Sequence, residues 1–403
     1  MSKVLDRFLR YVAVDTQSDE DSTSTPSTPN QWILARMLAD ELKEIGVSNV
    51  RLDEEHCYVY GEIPANTDTE TRALGFVSHM DTAQERPGDA SGARVEKNYN
   101  GRVIRLNDSV SLDPAEFPEL MNYIGCDIVV TDGNSLLGGD DKAGVAEIMT
   151  MAERLLSDPS IKHGKVCIGF TPDEEIGRGT DYFDIRGFGA DFAYTVDGGA
   201  IGELEYENFN AAAAYVRITG RLIHPGDAKG VMINAACLAA RFDSMLPSEM
   251  RPEYTEGYEG FFHLFRMSGN AGYTEMQYLI RDHDSEKFEN KKNIMRRAAD
   301  YLNSKYPGAV QVEIVDTYRN MKEVVEPHMF LIDDAKAAFR ACGVEPKVVA
   351  IRGGTDGARL SYCGIPCPNL STGGHNLHSN HEYIPVQSME KMVDVLTEIV
   401  RVK

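Results

Sequence analysis

Along the chain, short apolar runs end in polar or glycine-rich residues and give way to stretches with helical spacing. The runs "LGFVSHMD", "DIVVTDG", "VCIGFTPDE" and "FAYTVDGG" are apolar throughout rather than alternating. Strands of that kind, interleaved with helices, belong to an α/β sheet covered on both sides. Between "GGDDKAG" and "LLSDP", Val145, Ile148, Met149, Ala152 and Leu155 share one face of a predicted helix. An N-terminal amphipathic helix is marked by Val4, Leu5, Phe8, Leu9 and Val12. The segment after it, "TQSDEDSTSTPSTPNQW", is rich in Ser, Thr and Pro and reads as a solvated polar loop.

Near Asn208 the pattern changes. "AAAAYVRITG" predicts a strand and "VMINAACLAARFDSML" a helix; "GFFHLFRMSG" and "TEMQYLIRDHD" predict a strand pair. A helix over "KFENKKNIMRRAADYLNSKY" and a strand over "AVQVEIVD" complete the order β-α-β-β-α-β, the split βαβ unit of a ferredoxin-like domain. Near Asn320 strand-then-helix patterning resumes in "EPKVVAIRGGTDGARLSYCG". The expected architecture is a discontinuous α/β main domain, 1–207 plus 321–403, with a mixed sheet and helices on both faces. A ferredoxin-like module, 208–320, is inserted into it as a lid.

A chain of 403 residues supports one large or two medium cores. The net charge of −22 argues against nucleic acid or an anionic membrane surface as partner. Seven scattered cysteines without a C-x-x-C pair suit a reducing cytosol. No signal-peptide pattern opens the chain and no window approaches the ~18 apolar residues of a membrane span, so the expected location is cytoplasmic.

The polar clusters change the picture most. His79 and Asp81 follow "LGFVS", Asp173, Glu174 and Glu175 follow "VCIGFT", Asp197 follows "FAYTV", and "RGGTDG" follows "KVVAI". Ligands gather beyond the carboxyl ends of strands in open α/β sheets, so clusters at four such ends converge if the strands are neighbours. Asp140 and Asp141 join from a Gly-rich turn opening a helix, one as cap and the other free to face the site. His375, His378 and His381 lie within seven residues and are all candidates. In H-x-D a carboxylate can fix a histidine's tautomer, as behind a metal ligand. A donor set of His, Asp and Glu without Cys suits zinc, cobalt or manganese. One carboxylate bridging two cations suits a two-metal hydrolase. In "DEE", one glutamate would ligate while its neighbour stays free as general base.

The ordered motifs "LDRFLRYVAVDTQS", "GFVSHMDT", "LLGGDDKAGVAEIM", "FTPDEEIGRG", "YTVDGG", "ENFNAA", "HPGDAKGVMINA", "IRGGTDGA" and "HSNHE" resemble, end to end, the co-catalytic di-zinc exopeptidases related to carboxypeptidase G. The aminotripeptidase branch is the nearest. The resemblance implies two zinc ions per subunit, with cobalt or manganese as substitutes. It implies His79 and Asp197 on one ion, Glu175 and His381 on the other, and Asp140 bridging. Asp81 would orient His79, Glu174 would be the general base, and Asp141 would only start its helix. In the inserted domain His224 would stabilise the oxyanion, while Arg281 and Arg352 would hold substrate carboxylate or backbone. The implied activity is removal of the N-terminal residue from short peptides with a free N-terminus, tripeptides foremost. A related amidohydrolase or dipeptidase, acting on N-acyl amino acids or dipeptides with the same metals, is the rival. A non-catalytic binding protein would lack ligands or base, and here all are present. Relatives often dimerise through the inserted domain; no stripe in this chain decides between monomer and homodimer.

Overall fold

The computed structural model describes residues 2–402. The chain divides into two compact units, one of Met1–Tyr206, Glu323–Val349 and Thr355–Lys403, the other of Glu207–Lys322 and Ala350–Gly354.

The first unit is built on an eight-stranded mixed sheet. Its strands run, edge to edge, Ser48–Leu52, Val59–Ile63, Val166–Thr171, Leu74–His79, Phe192–Val196, Asn369–Leu370, Glu203–Asn208 and Lys347–Ile351. The central strands Val166–Thr171, Leu74–His79 and Phe192–Val196 are parallel, with Leu74 opposite both Val166 and Phe192 and His79 opposite Thr171. In-register parallel strands end together. His79, the "TPDEE" turn and Asp197 therefore emerge from one edge, where open α/β sheets collect ligands.

Helix Gly139–Ser157 packs against Leu74–His79 and Phe192–Val196 and is flanked by helices Lys3–Val12 and Val386–Val400. It is buried on nearly every side from Gly139 to Ala152, beyond the one apolar face its spacing predicts, and that burial takes in the charged Asp141, Lys142 and Glu147. The apolar run Ile128–Val130 departs from expectation. It does not join the large sheet but pairs with Tyr383–Pro385 and Arg94–Glu96 in a separate three-stranded sheet. There Ile128 and Val130 share a small core with Tyr99, Ile104, Leu112, Leu120 and Tyr383. An apolar run shows that a strand is buried, not which sheet buries it.

In the second unit the spatial order is Phe261–Gly269, Tyr273–Asp282, Asn210–Thr219 and Val310–Tyr318, all antiparallel. Helices Ala235–Ser244 and Ser285–Lys305 pack on this sheet. The β-α-β-β-α-β chain order and this pairing are those of a ferredoxin-like domain. Its core includes Val216, Ile218, Phe242, Tyr278, Ile280 and Leu302. Asp284 caps the longer helix, accepting the Lys287 N–H at 2.8 Å. The unit also takes in Ala350–Gly354, so Arg352 belongs to it rather than to the main domain.

Candidate active site

His79 ends its strand almost completely buried. Its Nε2 lies 3.0 Å from Asp140 Oδ1 and 3.7 Å from Asp197 Oδ1. Its Nδ1 faces the Asp81 carbonyl at 3.0 Å and Asp81 Oδ1 at 3.4 Å, which leaves Nε2 for the cluster. The Asp81 carboxylate also accepts the backbone N–H of Glu174 (3.0 Å) and of Glu175 (3.1 Å). One buried carboxylate thus backs the histidine and fixes the turn carrying both glutamates.

The three acids of that turn divide by direction. Asp173, in left-handed conformation (φ 56°), points away from the cluster into the Ser/Thr/Pro-rich segment. There it accepts from the Ser27 N–H (2.8 Å), the Ser27 hydroxyl (2.5 Å) and the Gln31 amide (2.7 Å). Arg178, just beyond, donates to the carbonyls of Ser22 (2.6 Å), Glu20 and Ser24. The segment expected to be a solvated connection is therefore tied to the turn at both ends, by bonds that local composition does not reveal. Glu174 and Glu175 open a single tight turn, Glu174–Ile176. Gly177 closes it at φ 71°, and Gly179 makes room for Asp356, whose Oδ1 would stand 2.2 Å from an added Cβ. Asp356 in turn accepts the Thr171 hydroxyl at 2.7 Å.

Asp140 and Asp141 sit where helix Gly139–Ser157 begins, joined by a cis peptide, with Asp140 off helical geometry (φ −86°, ψ 102°). Asp141 does more than start the helix: its Oδ2 accepts the His79 N–H at 3.1 Å, and its Oδ1 is buried with no hydrogen-bond partner. Among the three C-terminal histidines, His378 is the one brought to the acids. Its Nε2 lies 3.2 Å from Asp140 Oδ2 and 3.2 Å from Glu175 Oε2. The ring of His381 lies instead 5.1 Å from that of Phe117. Left-handed turns at Asn376 (φ 55°) and His378 (φ 59°) curl the loop, and sequence spacing carries no trace of them. His375 anchors the loop: it stacks on Tyr383 and meets the Tyr123 hydroxyl at 2.6 Å. Burial pushes it down to about 4, so it stays neutral.

Burial, reinforced by neighbouring carboxylates, lifts Glu174, Glu175 and Asp197 above the usual carboxylate range. Burial opposes ionisation of Asp140 too, but its bonds to His378 and His79 outweigh it and hold the group low. His79 is raised despite its burial by the charge of Asp197 and its bonds to Asp140 and Asp197. So many inward-facing acids with two histidines form a site short of positive charge, which divalent cations would supply. The geometry fits them. Ligand atoms of His79, Asp141 and Asp197, and of His79, Asp140 and Glu175, form two groups, each within 4.8 Å. Glu175 Oε1 is buried without a partner, like Asp141 Oδ1. An all-nitrogen-and-oxygen set suits zinc, cobalt or manganese.

His224, Arg281 and Arg352 all lie on the second unit. The side chain of His224 is 80% exposed. Arg281 bonds the Ile280 carbonyl at 3.0 Å and lies over the Tyr318 ring. Arg352 donates to the carbonyls of Gly257 (2.6 Å) and Glu259 (3.1 Å), so much of its guanidinium is spent on the 255–259 loop.

The profile described as "Peptidase family M20/M25/M40" matches residues 136–402. The chain is 52% identical over 403 residues to peptidase T of Desulfitobacterium hafniense (strain Y51), covering 99% of this chain and 98% of that one. To peptidase T of Clostridium perfringens (strain 13 / Type A) it is 53% identical, covering 100% and 99%. Among solved structures, aminopeptidase PepT from Bacillus cereus ATCC 10987 superposes with a TM-score of 0.77 at 23% identity, over 99% of this chain and 97% of that one. A dinuclear metal binding peptidase of the M20 family from Bacillus subtilis does so at 0.68 and 12%, over 98% and 96%. The chain therefore belongs to peptidase family M20/M25/M40, alongside the curated peptidase T sequences.

Proposed function

We propose that this protein is a metal-dependent aminopeptidase that cleaves the N-terminal peptide bond of short peptides, tripeptides foremost. The observation that carries it is the convergence of His79, Asp140, Asp197, Glu175 and His378 around a cation-deficient centre with Glu174 beside it, in a chain about half identical to peptidase T from end to end. Zinc is the proposed metal, two ions per chain. His79 and Asp197 hold one, Glu175 and a histidine of the 375–381 loop the other, and Asp140 is shared. His381 is the histidine the motif order favours and His378 the one in contact, so each is to be replaced in turn. When bound, the two ions polarise the scissile carbonyl and make water a nucleophile at neutral pH.

The protein's own groups do the rest. Glu174, lifted by burial, is suited to take a proton from the attacking water and hand it to the amine as the C–N bond breaks. Asp81 keeps His79 oriented and the Glu174 turn rigid. His224, Arg281 and Arg352 are proposed substrate contacts, each checked by the KM of its alanine variant.

Hydrolysis of a free tripeptide, its dipeptide and tetrapeptide analogues and its N-acetyl form, before and after chelation and metal restoration, tests the reading. Metal-dependent cleavage centred on the free tripeptide is expected. Cleavage of the acetylated form instead would move the protein to acylase chemistry. Inactivity of the zinc-loaded protein on all four would overturn the proposal.

A further inference from the structure

Glu382 follows the histidine loop and is 1% exposed. Its Oε2 accepts the backbone N–H of Leu137 (2.8 Å) and of Gly138 (3.0 Å), and its Oε1 that of Asp140 (3.2 Å). These amides belong to "LLGGD", the turn whose last side chain is the proposed shared ligand. Its glycines admit the carboxylate: Gly138 sits at φ 74°, and a Cβ on Gly139 would stand 2.9 Å from Oε1. On the other side, the histidine loop is closed at its neck by mutual backbone bonds between His375 and Tyr383, at 3.0 and 3.1 Å. Residue 140 is thus held twice from one loop, by Glu382 at its backbone and by His378 at its carboxylate.

We propose that Glu382 is a positioning residue of the metal centre: it locks the turn bearing Asp140 to the loop bearing His378 and His381, so both reach the cations in register. The inference rests on the proposed function only for the identity of the ligands. Charge-assisted bonds from a buried carboxylate are directional and strong, and their donors have no water to turn to when the acceptor is removed. Groups that orient ligands in this way typically carry about 10–100-fold of metal affinity.

The test uses full-length protein and three variants: Glu382→Ala, Glu382→Gln, and Gly139→Ala, which presses on the same contact from the other side. Zinc stoichiometry and affinity are measured by chelator competition, amide exchange in residues 137–141 by mass spectrometry, kcat and KM at saturating zinc, and melting of the metal-free forms. The proposal expects at least one zinc to bind about 10–100-fold more weakly in Glu382→Ala and Gly139→Ala. It also expects faster exchange at 137–141, a fall in kcat exceeding any change in KM, and partial recovery in Glu382→Gln, which keeps one acceptor oxygen. Parent-like zinc affinity in folded Glu382→Ala and Gly139→Ala overturns it, whatever their melting temperatures, because a purely structural role moves only the latter. If the parent binds zinc but cleaves no peptide, the functional reading fails while these affinities still decide the role of Glu382.

Discussion

Replacing Asp173 tests whether the first acid of the "DEE" turn is a tie rather than a ligand. In Asp173→Ala the Ser27 N–H, the Ser27 hydroxyl and the Gln31 amide all lose their acceptor in a buried place. A buried unsatisfied donor costs about 1–3 kcal/mol. The hydroxyl and the amide can rotate toward other partners, whereas the Ser27 N–H cannot. Burial already pushes the Asp173 pKa up against its three donors, so removing the carboxylate also recovers some desolvation cost. The net expectation is a loss of about 2–4 kcal/mol. Asparagine tolerates the left-handed backbone at φ 56° and keeps one oxygen, so Asp173→Asn should lose only about 1 kcal/mol. Urea unfolding of the metal-free proteins reads the stability, and a double-mutant cycle with Ser27→Ala reads the coupling. Because the next residue is Glu174, kcat should fall in Asp173→Ala, while bound metal stays at the parent level, since Asp173 points away from the cluster and Asp81 still holds the Glu175 N–H. An Asp173→Ala protein within about 0.5 kcal/mol of the parent would refute the account, since that is the scatter of an ordinary surface substitution.

Glu174→Ala should lower kcat by about 10²–10⁴ with metal retained, whereas Glu175→Ala should lose metal; matching kcat and metal-content profiles for the two would break the division of labour. His375, held near 4 when folded, binds its proton more readily in the unfolded chain. It therefore withdraws stability as pH falls from about 6.5 to 4, by at most about 3 kcal/mol, and unfolding midpoints across that range should lose this slope in His375→Phe. Glu147 is fully buried with both oxygens unpartnered, and burial followed by the charge of Asp141 raises its pKa well above normal. Its folded form resists ionisation, so it costs stability increasingly above about pH 4.5. Glu147→Gln should raise the melting temperature at pH 8 and have little effect below pH 4, and a gain independent of pH would contradict this reading.

The parts of the site written at strand ends were legible. Apolar runs located the central strands, and parallel pairing carried His79, the "DEE" turn and Asp197 to one edge. The order of the second unit was legible for the same reason: alternating and helical periods are local. What stayed hidden depends on partners far along the chain. Ser27 and Gln31 meet Asp173 across more than 140 residues, and Glu382 meets Leu137 across 245. Nothing in "STSTPSTP" marks it as packed, and nothing in "NHEY" points at "LLGGD". The glycines before "DD" and after "DEE" were the available signal: in each pair one, Gly139 beside Glu382 and Gly179 beside Asp356, sits where a carboxylate approaches the backbone too closely for a Cβ. The loop carrying His378 was the least legible, because backbone turns rather than spacing choose which histidine faces inward.

His79 and His378 meet on the same Asp140 although about 300 residues of chain separate them, the inserted unit included. Contacts of such long range form late, after the loop they close has been ordered. During synthesis, the first half of the chain emerges with His79, Asp140, Glu175 and Asp197 but without the histidine loop or the Glu382 brace. The centre is thus assembled only when the segment beyond residue 378 has been made and folded back onto the sheet. On the proposed function, an enzyme arranged in this way would stay silent while it is being made, and a truncated product of interrupted synthesis would carry most of the acids yet lack the loop that brings His378 to Asp140.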